Sequence, residues 1–305
     1  MLFGGYSSQS VGMGKEFYDE YRIVQEYFEE ASNCLGINFV KLCFASSDAQ
    51  LSKIQNAYPS LFLVQTALAA LLLQQGIRPT ALAGYCDGEF SAFCVGGGIN
   101  LPDGLYLIGK YAFLYEELLK SGAFGAQRVM GISAPELEQA CQQASTEQEI
   151  VFIGIYYDQQ DHLVTGHKKA IERLVTIITA QKQVRFEYAG VGLGLHSLLM
   201  KDIVKLVKMY MEKIDFKAMK IPCLSAFDGI GLVQGIELKV HLLDHIHKPL
   251  RYISLLPALQ SYDVIIEIGK NSTLHHLVKQ YYPEKQIFEI KKCADLCALK
   301  KALHK

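Results

Sequence analysis

The chain has 305 residues, half of them hydrophobic, and a formal net charge of -1 at pH 7. It can bury a large core, and its balanced charge excludes the strongly basic surface that nucleic acid or an anionic membrane would attract. Its eight cysteines show no repeating spacing, which favours reduced thiols in the cytoplasm over a disulfide framework. We expect no secretion signal at the N-terminus and no membrane span, because the longest apolar stretch, residues 67–73, is too short to cross a bilayer.

Short apolar strands alternate with amphipathic helices along the chain. This pattern predicts an α/β architecture with a mainly parallel sheet. Helices are predicted over residues 15–34, 61–75 and 103–120. In the second of these, apolar residues recur every three or four positions, which is typical of a helix packed against the core.

Residues 84–88 read Gly-Tyr-Cys-Asp-Gly, directly after the apolar run 81–83 and before a helical pattern. Gly-x-Cys-x-Gly has the form of a nucleophile elbow, a strained strand-to-helix turn whose central side chain projects from the top of a sheet. We interpret Cys86 as a nucleophile. A buried cysteine in a glycine-rich turn without catalytic function would give the same five residues.

The pattern changes after residue 122. Strands and helices are then predicted in the order βαββαβ, at 127–132, 134–144, 150–157, 162–165, 168–180 and 184–188. That order is typical of a ferredoxin-like unit. We therefore predict a ferredoxin-like small domain at residues 126–190, inserted into a larger domain made of residues 1–125 and 191–305.

Several segments resemble the malonyl-CoA:acyl carrier protein transacylase family. Residues 2–9 are similar to its Phe-Pro-Gly-Gln-Gly-Ser-Gln segment, residues 84–89 to Gly-His-Ser-x-Gly-Glu, and residues 196–200 to His-Ser-x-x-Met. Residues 58–62 and 248–252 look like the family's Gln-Pro-Ala-Leu and Asn-Pro-Val-Arg-Trp blocks. The resemblance covers nearly the whole chain and implies an α/β-hydrolase-like large domain with a parallel sheet, into which the small domain is inserted.

The same resemblance implies the catalytic groups. Cys86 takes the position of the family's serine nucleophile, and His196 is its base, facing it across the cleft between the two domains. A thiol with an ordinary pKa of about 8.5 needs such a base at neutral pH. The oxyanion hole is expected from the backbone N–H groups of Tyr6 and Asp87. The backbone carbonyl of Arg251 is expected to orient His196.

The substrate pocket departs from the family pattern. Malonyl-specific members carry an arginine where this chain has Tyr111, and a tyrosine cannot hold a carboxylate by charge. Lys110 is adjacent but lies about 100° around the helix. Tyr85 replaces a histidine, Tyr58 replaces a glutamine, and Asn271 is expected nearby. A preference for malonyl groups is therefore not expected.

The resemblance implies an acyltransferase that moves an acyl group from CoA or an acyl carrier protein to a carrier protein through an acyl-Cys86 intermediate. No cofactor is expected beyond the CoA or phosphopantetheine arm of the substrate. Two alternatives stay open: a thioester hydrolase that clears acyl groups from carrier proteins, and a noncatalytic carrier-protein binder.

The histidines at 241, 245 and 247 have spacing that could bind zinc on a helix, but no cysteine and no carboxylate set beyond Asp244 lies near them in sequence. We interpret them as a solvated helix end and expect no metal site.

Overall fold

The computed structural model describes residues 1–188, 196–270 and 273–303. Within them the α-helices are α1 (Lys15–Glu20), α2 (Arg22–Leu35), α3 (Phe39–Phe44), α4 (Asp48–Leu51), α5 (Ile54–Gln74), α6 (Gly88–Val95), α7 (Leu101–Leu119), α8 (Ala134–Ala144), α9 (Lys168–Gln181), α10 (Lys201–Met211), α11 (Gly235–His247), α12 (Tyr252–Leu259), α13 (Thr273–Tyr281) and α14 (Cys293–Leu303). The strands are β1 (Leu2–Phe3), β2 (Ala83–Gly84), β3 (Phe124–Met130), β4 (Val151–Tyr156), β5 (Asp161–His167), β6 (Arg185–Tyr188), β7 (Cys223–Leu224), β8 (Gly231–Leu232), β9 (Leu250–Arg251), β10 (Val264–Ile268) and β11 (Gln286–Ile290).

The central sheet has the strand order β11-β10-β1-β2, and all of its pairs are parallel. The predicted α/β class with a parallel sheet is confirmed. Because the carboxyl ends of parallel strands meet at one edge, the segments that follow Phe3, Gly84 and Ile268 emerge side by side. The elbow and the N-terminal loop therefore lie next to each other.

Helix α5 is longer than the predicted helix at 61–75, because it begins at Ile54 and contains Pro59 within it. It is also the one helix in the described ranges with the length and composition of a membrane span, at a mean hydropathy of 1.4. The apolar segment is therefore longer than the stretch at 67–73 on which the sequence expectation was based. In the structure, 83% of that window is buried against other elements. Its position in the core accounts for its apolar composition.

The predicted helix at 15–34 is two helices, α1 and α2. Tyr21 lies between them in an extended conformation, with φ -124° and ψ 118°, which interrupts the helical hydrogen bonds. The amphipathic pattern runs through this break without a glycine or proline to reveal it. The helix predicted at 103–120 is α7, and the Asn100 side chain caps it by accepting from the Asp103 N–H at 2.8 Å.

Strands β3 to β6 and helices α8 and α9 follow the predicted βαββαβ order. Their sheet has the order β6-β3-β5-β4-β9, in which β9 comes from the larger part of the chain and pairs parallel to β4. A separate apolar core lies under this sheet, with Val129, Leu137, Val164 and Leu174 among its buried members. The domain division at 126–190 stays a prediction, since its second boundary lies outside the described residues.

Candidate active site

Cys86 lies at the turn between β2 and α6, with a backbone φ of 51°. The turn is possible because both flanking residues are glycines. A Cβ added at Gly84 would lie 2.2 Å from the Glu89 nitrogen, and one at Gly88 would lie 2.4 Å from the Phe3 oxygen. The sequence Gly-x-Cys-x-Gly therefore forms the strained turn that its spacing predicts.

His196 faces the elbow. Its Nε2 lies 3.3 Å from the Cys86 Sγ, and both side chains are buried. Within the described residues, the non-glycine positions with positive φ are Ser7, Cys86 and His196. Backbone strain of this kind is maintained where the surrounding structure fixes a functional geometry.

The carbonyl that orients His196 belongs to His245, so the expectation for Arg251 is wrong. His196 Nδ1 lies 2.6 Å from the His245 oxygen. His245 is in the last turn of α11, where helix carbonyls have no partner within the helix and remain free to accept. Arg251 instead belongs to β9, where its N–H donates to the Ala226 oxygen and its guanidinium lies 4.3 Å from the centre of the Tyr156 ring.

The dyad is a neutral pair in its resting state. Burial raises the pKa of the Cys86 thiol well above its ordinary value, and the charge of Asp87 raises it further. Burial lowers the pKa of His196 to about 4, against a smaller opposing contribution from its hydrogen bond to His245. An unprotonated imidazole beside a protonated thiol is suited to general-base catalysis rather than to a preformed thiolate–imidazolium pair.

The expected oxyanion hole is occupied by a side chain of the protein itself. The Tyr6 N–H donates to the Asp87 carboxylate at 2.8 Å. Burial raises the pKa of this carboxyl group to about 7, although its hydrogen bonds with the backbone N–H groups of Tyr6 and Asp87 lower it. The Asp87 side chain thus takes one of the two donors expected for an oxyanion, and a hole formed by the Tyr6 and Asp87 N–H groups stays a prediction.

A buried polar cluster lies beside the dyad and was missed by sequence reasoning. His241 Nε2 lies 3.0 Å from both carboxylate oxygens of Glu89, and His245 Nε2 lies 3.8 Å from one of them. Burial opposes a positive charge on His241, but Glu89 outweighs it, so the pKa of His241 is raised. The interpretation of these histidines as a solvated helix end is wrong for His241 and His245, which are buried at 5% and 0% exposure.

Tyr58 and Tyr111 belong to the core beneath the elbow. Each is 1% exposed, and their ring centres lie 5.9 Å apart, with Tyr115 stacked on Tyr111 at 6.0 Å. Lys110 does not replace the missing arginine, because its Nζ lies over the Tyr106 ring at 5.8 Å, on a different face of α7. Contact of Tyr58 or Tyr111 with a substrate stays a prediction.

Tyr85 stacks on Tyr252 with ring centres 5.0 Å apart, and its hydroxyl lies 2.7 Å from that of Tyr157. The Tyr252 hydroxyl accepts the Cys86 N–H at 2.7 Å and so supports the elbow directly. Tyr252 ends the segment 248–252 that carries the family resemblance, but no local pattern indicates that its hydroxyl reaches residue 86. The predicted pocket residue Asn271 lies outside the described residues.

Among the residues that the structure describes, two groups of side chains have the composition of a metal site. The ligand atoms of Cys86, His196 and His245 all lie within 4.8 Å of one another, and so do those of Glu267, His275 and Glu289. Sequence spacing did not indicate the first group, because its members come from three distant segments.

Comparison with known proteins shows the family and the fold. Residues 1–305 match the family described as an acyl transferase domain. The malonyl CoA-acyl carrier protein transacylase of Salmonella typhimurium is 28% identical over 282 residues, covering 92% of this chain and 91% of the relative. An acyl carrier protein S-malonyltransferase from Vibrio cholerae has a TM-score of 0.91 at 24% identity, over 98% of both chains. A malonyl-transacylase solved in complex with a type II PKS acyl-carrier protein has a TM-score of 0.92 at 22% identity, over 99% of this chain and 98% of that one.

Proposed function

The chain belongs to the acyl transferase domain family, and from this premise we propose that it moves an acyl group from a CoA or carrier-protein thioester to a carrier protein through an acyl-Cys86 intermediate. The observation that supports this most is the 3.3 Å contact between Cys86 Sγ and His196 Nε2, with His196 Nδ1 held by the His245 carbonyl. Covalent acyl transfer needs a nucleophile, a base beside it and a group that orients the base, and this contact supports assigning these roles to Cys86, His196 and the His245 carbonyl.

The first half-reaction forms the acyl-enzyme. His196 Nε2 takes the thiol proton as Sγ attacks the thioester carbonyl, and the tetrahedral intermediate then collapses with loss of the donor thiolate, which receives the proton from His196. In the second half-reaction the same nitrogen removes the proton of the incoming carrier thiol as its sulfur attacks the acyl-Cys86 carbonyl. The tetrahedral intermediate then collapses with loss of the Cys86 thiolate, which receives the proton from His196. One thioester is exchanged for another in each step, so the free energy changes little.

The acyl group is proposed to be neutral rather than malonyl. The arginine position holds Tyr111, packed against Tyr58 and Tyr115, and Lys110 lies on another face of its helix. The buried carboxyl group of Asp87 lies beside the dyad, and burial already disfavours its charged form, so the pocket is poorly suited to a second carboxylate. No side chain described near Cys86 replaces the arginine.

The occupied Tyr6 N–H favours a second candidate, a noncatalytic protein that holds a carrier protein in the cleft. Hydrolysis by water in place of a carrier thiol uses the same dyad. No cofactor is needed for transfer or hydrolysis, since CoA or phosphopantetheine enters as part of the substrate. All eight cysteines are free thiols in the structure, which supports a reducing compartment such as the cytoplasm.

The test is to follow acylation of the protein by mass spectrometry of the intact chain. The protein is incubated with malonyl-, acetyl- and longer acyl-CoA, and then with a carrier protein bearing free phosphopantetheine. We expect a neutral-acyl adduct that disappears in Cys86→Ala and moves to the carrier. The matched control is Cys34→Ala, which removes an exposed thiol open to nonspecific acylation and should keep the adduct. Release as free acid would indicate hydrolysis, and no adduct from any donor would favour the noncatalytic candidate.

A further inference from the structure

The His245 side chain has no explanation in the acyl-transfer mechanism, which uses only its carbonyl. The ring is 0% exposed, and neither of its nitrogens has a hydrogen-bond partner among the described residues. Buried polar atoms are almost always satisfied in folded proteins, so an orphan imidazole points to a ligand. Its ring centre lies 4.9 Å from that of His196, so a ligand of His245 would also lie next to the dyad.

The three side chains bring their ligand atoms close enough together to share one metal ion. These atoms lie within 4.8 Å of one another, and Cys86 Sγ lies 3.3 Å from His196 Nε2. A zinc ion with Zn–S of about 2.3 Å and Zn–N of about 2.0 Å separates such ligands by about 3.5 Å. Only small adjustments are needed for one ion to contact all three.

The surroundings match what metal ligands require. Because His196 Nδ1 donates to the His245 carbonyl, the lone pair of Nε2 points towards Cys86. Histidine ligands of metals are commonly oriented by such a hydrogen bond from the other ring nitrogen. Glu89, held by His241 at 3.0 Å, lies beside the three ligands, with one carboxylate oxygen 3.8 Å from His245 Nε2. The Cys86 thiolate and this neighbouring carboxylate together balance the charge of a divalent ion.

We propose that Cys86, His196 and His245 form a site for a thiophilic divalent metal ion such as Zn²⁺, and that metal occupancy and acylation of Cys86 exclude each other. Binding releases the thiol proton and uses the sulfur lone pair and the His196 Nε2 lone pair, the two groups that attack and deprotonate in acyl transfer. The claim that metal and acyl group exclude each other rests on the proposed function. The claim that the three residues bind a metal ion does not.

Cobalt is the probe for the site, since Co²⁺ replaces Zn²⁺ and a thiolate ligand gives it a charge-transfer absorption in the near ultraviolet. The full chain is stripped with a chelator and titrated with Co²⁺. We expect the band in the wild type, none in Cys86→Ala, and at least tenfold weaker binding in His245→Gln. His247→Gln, two residues further along α11 and outside the cluster, is the matched control and should bind as the wild type does.

Thermal melting of each metal-free variant separates loss of binding from loss of fold. A wild-type protein without the band, a band that persists in Cys86→Ala, or wild-type affinity in a folded His245→Gln would each overturn the site.

Exclusion is tested by acyl-CoA incubation with and without one equivalent of Zn²⁺. Adduct in the metal-free protein and none in the loaded protein supports it, and acylation of the loaded protein refutes it. The band without acylation from any donor in the metal-free protein would refute the transferase proposal alone. Acylation without the band would refute the metal site alone.

Discussion

The elbow region, defined as residues 84–89 with His196 and His245, and the small domain, strands β3 to β6, are both well packed but differ in composition. The small domain has a largely apolar core that also buries His162 and Thr165, and it pairs charges at partly exposed positions, as Arg128 does with Asp161. The elbow region buries two carboxyl groups and two imidazoles and contains two of the strained backbone positions. The difference indicates that the small domain is built for stability, whereas the elbow region is built for chemistry at a cost in stability.

The largest effect on activity is expected from His196→Ala. Loss of the base leaves a thiol whose pKa is raised by burial, so Cys86 acylation should fall about 10²–10⁴-fold. Single-turnover acylation by intact mass measures this. The control is His276→Ala, an exposed histidine on α13, which should react at the wild-type rate. A His196→Ala protein that is acylated at the wild-type rate would show that His196 is not the base.

Asp87→Leu should act in the opposite direction. It frees the Tyr6 N–H for the developing oxyanion and removes a buried charge beside it, and one such donor is worth about 10²-fold in rate. Acylation with acetyl-CoA should therefore accelerate by up to about that factor. Asp87→Asn separates the effect of the freed N–H from the effect of the lost charge, because an amide oxygen still accepts the N–H without carrying charge. If Asp87→Leu slows acylation in a folded protein, the carboxylate contributes to the chemistry instead of blocking it.

A smaller loss, about tenfold, is expected from Tyr252→Phe. It leaves the buried Cys86 N–H without its acceptor, at a cost of about 1–3 kcal/mol to the elbow conformation. Tyr157→Phe is the matched control, since its hydroxyl contacts the Tyr85 side chain and not the backbone of Cys86. Acylation rate and urea unfolding are measured on both variants. Equal behaviour of the two would mean that the Tyr252 contact does not support the nucleophile.

The smallest effect on acylation is expected from Leu174→Ala in the small-domain core. The cavity should lower the free energy of unfolding by about 2–5 kcal/mol while the acylation rate of the folded protein changes little. Thr176→Ala, exposed on the same helix, should change stability by no more than about 0.5 kcal/mol. A loss of acylation as large as that of His196→Ala, measured well below the melting temperature, would show that the small-domain core also contributes to the chemistry.

The sequence predicted the regular parts of the molecule well, because hydrophobic period and turn residues decide them locally. The small-domain elements and the elbow turn are examples. The pairing of Cys86 with His196 was predicted only through the family resemblance, since the residues are 110 positions apart.

The other site contacts depend on tertiary geometry that local patterns do not encode. The family resemblance places the orienting carbonyl at Arg251, four residues beyond the end of the helix whose last turn supplies it. The contact of the Asp87 side chain with the Tyr6 N–H joins segments 81 residues apart. The burial of His241 and His245 follows from their contact with Glu89 on a distant helix, which spacing within α11 cannot show.

The account depends on covalent capture of the acyl group by one thiol. Its most direct test is peptide mapping of the protein after reaction with acetyl-CoA, in metal-free buffer, followed by addition of a carrier protein. The account predicts a single acetyl group on the peptide containing Cys86, which leaves that peptide as acetyl-carrier appears in equal amount. Acetyl-carrier formed at the wild-type rate by Cys86→Ala, or an adduct only on another cysteine, would contradict it.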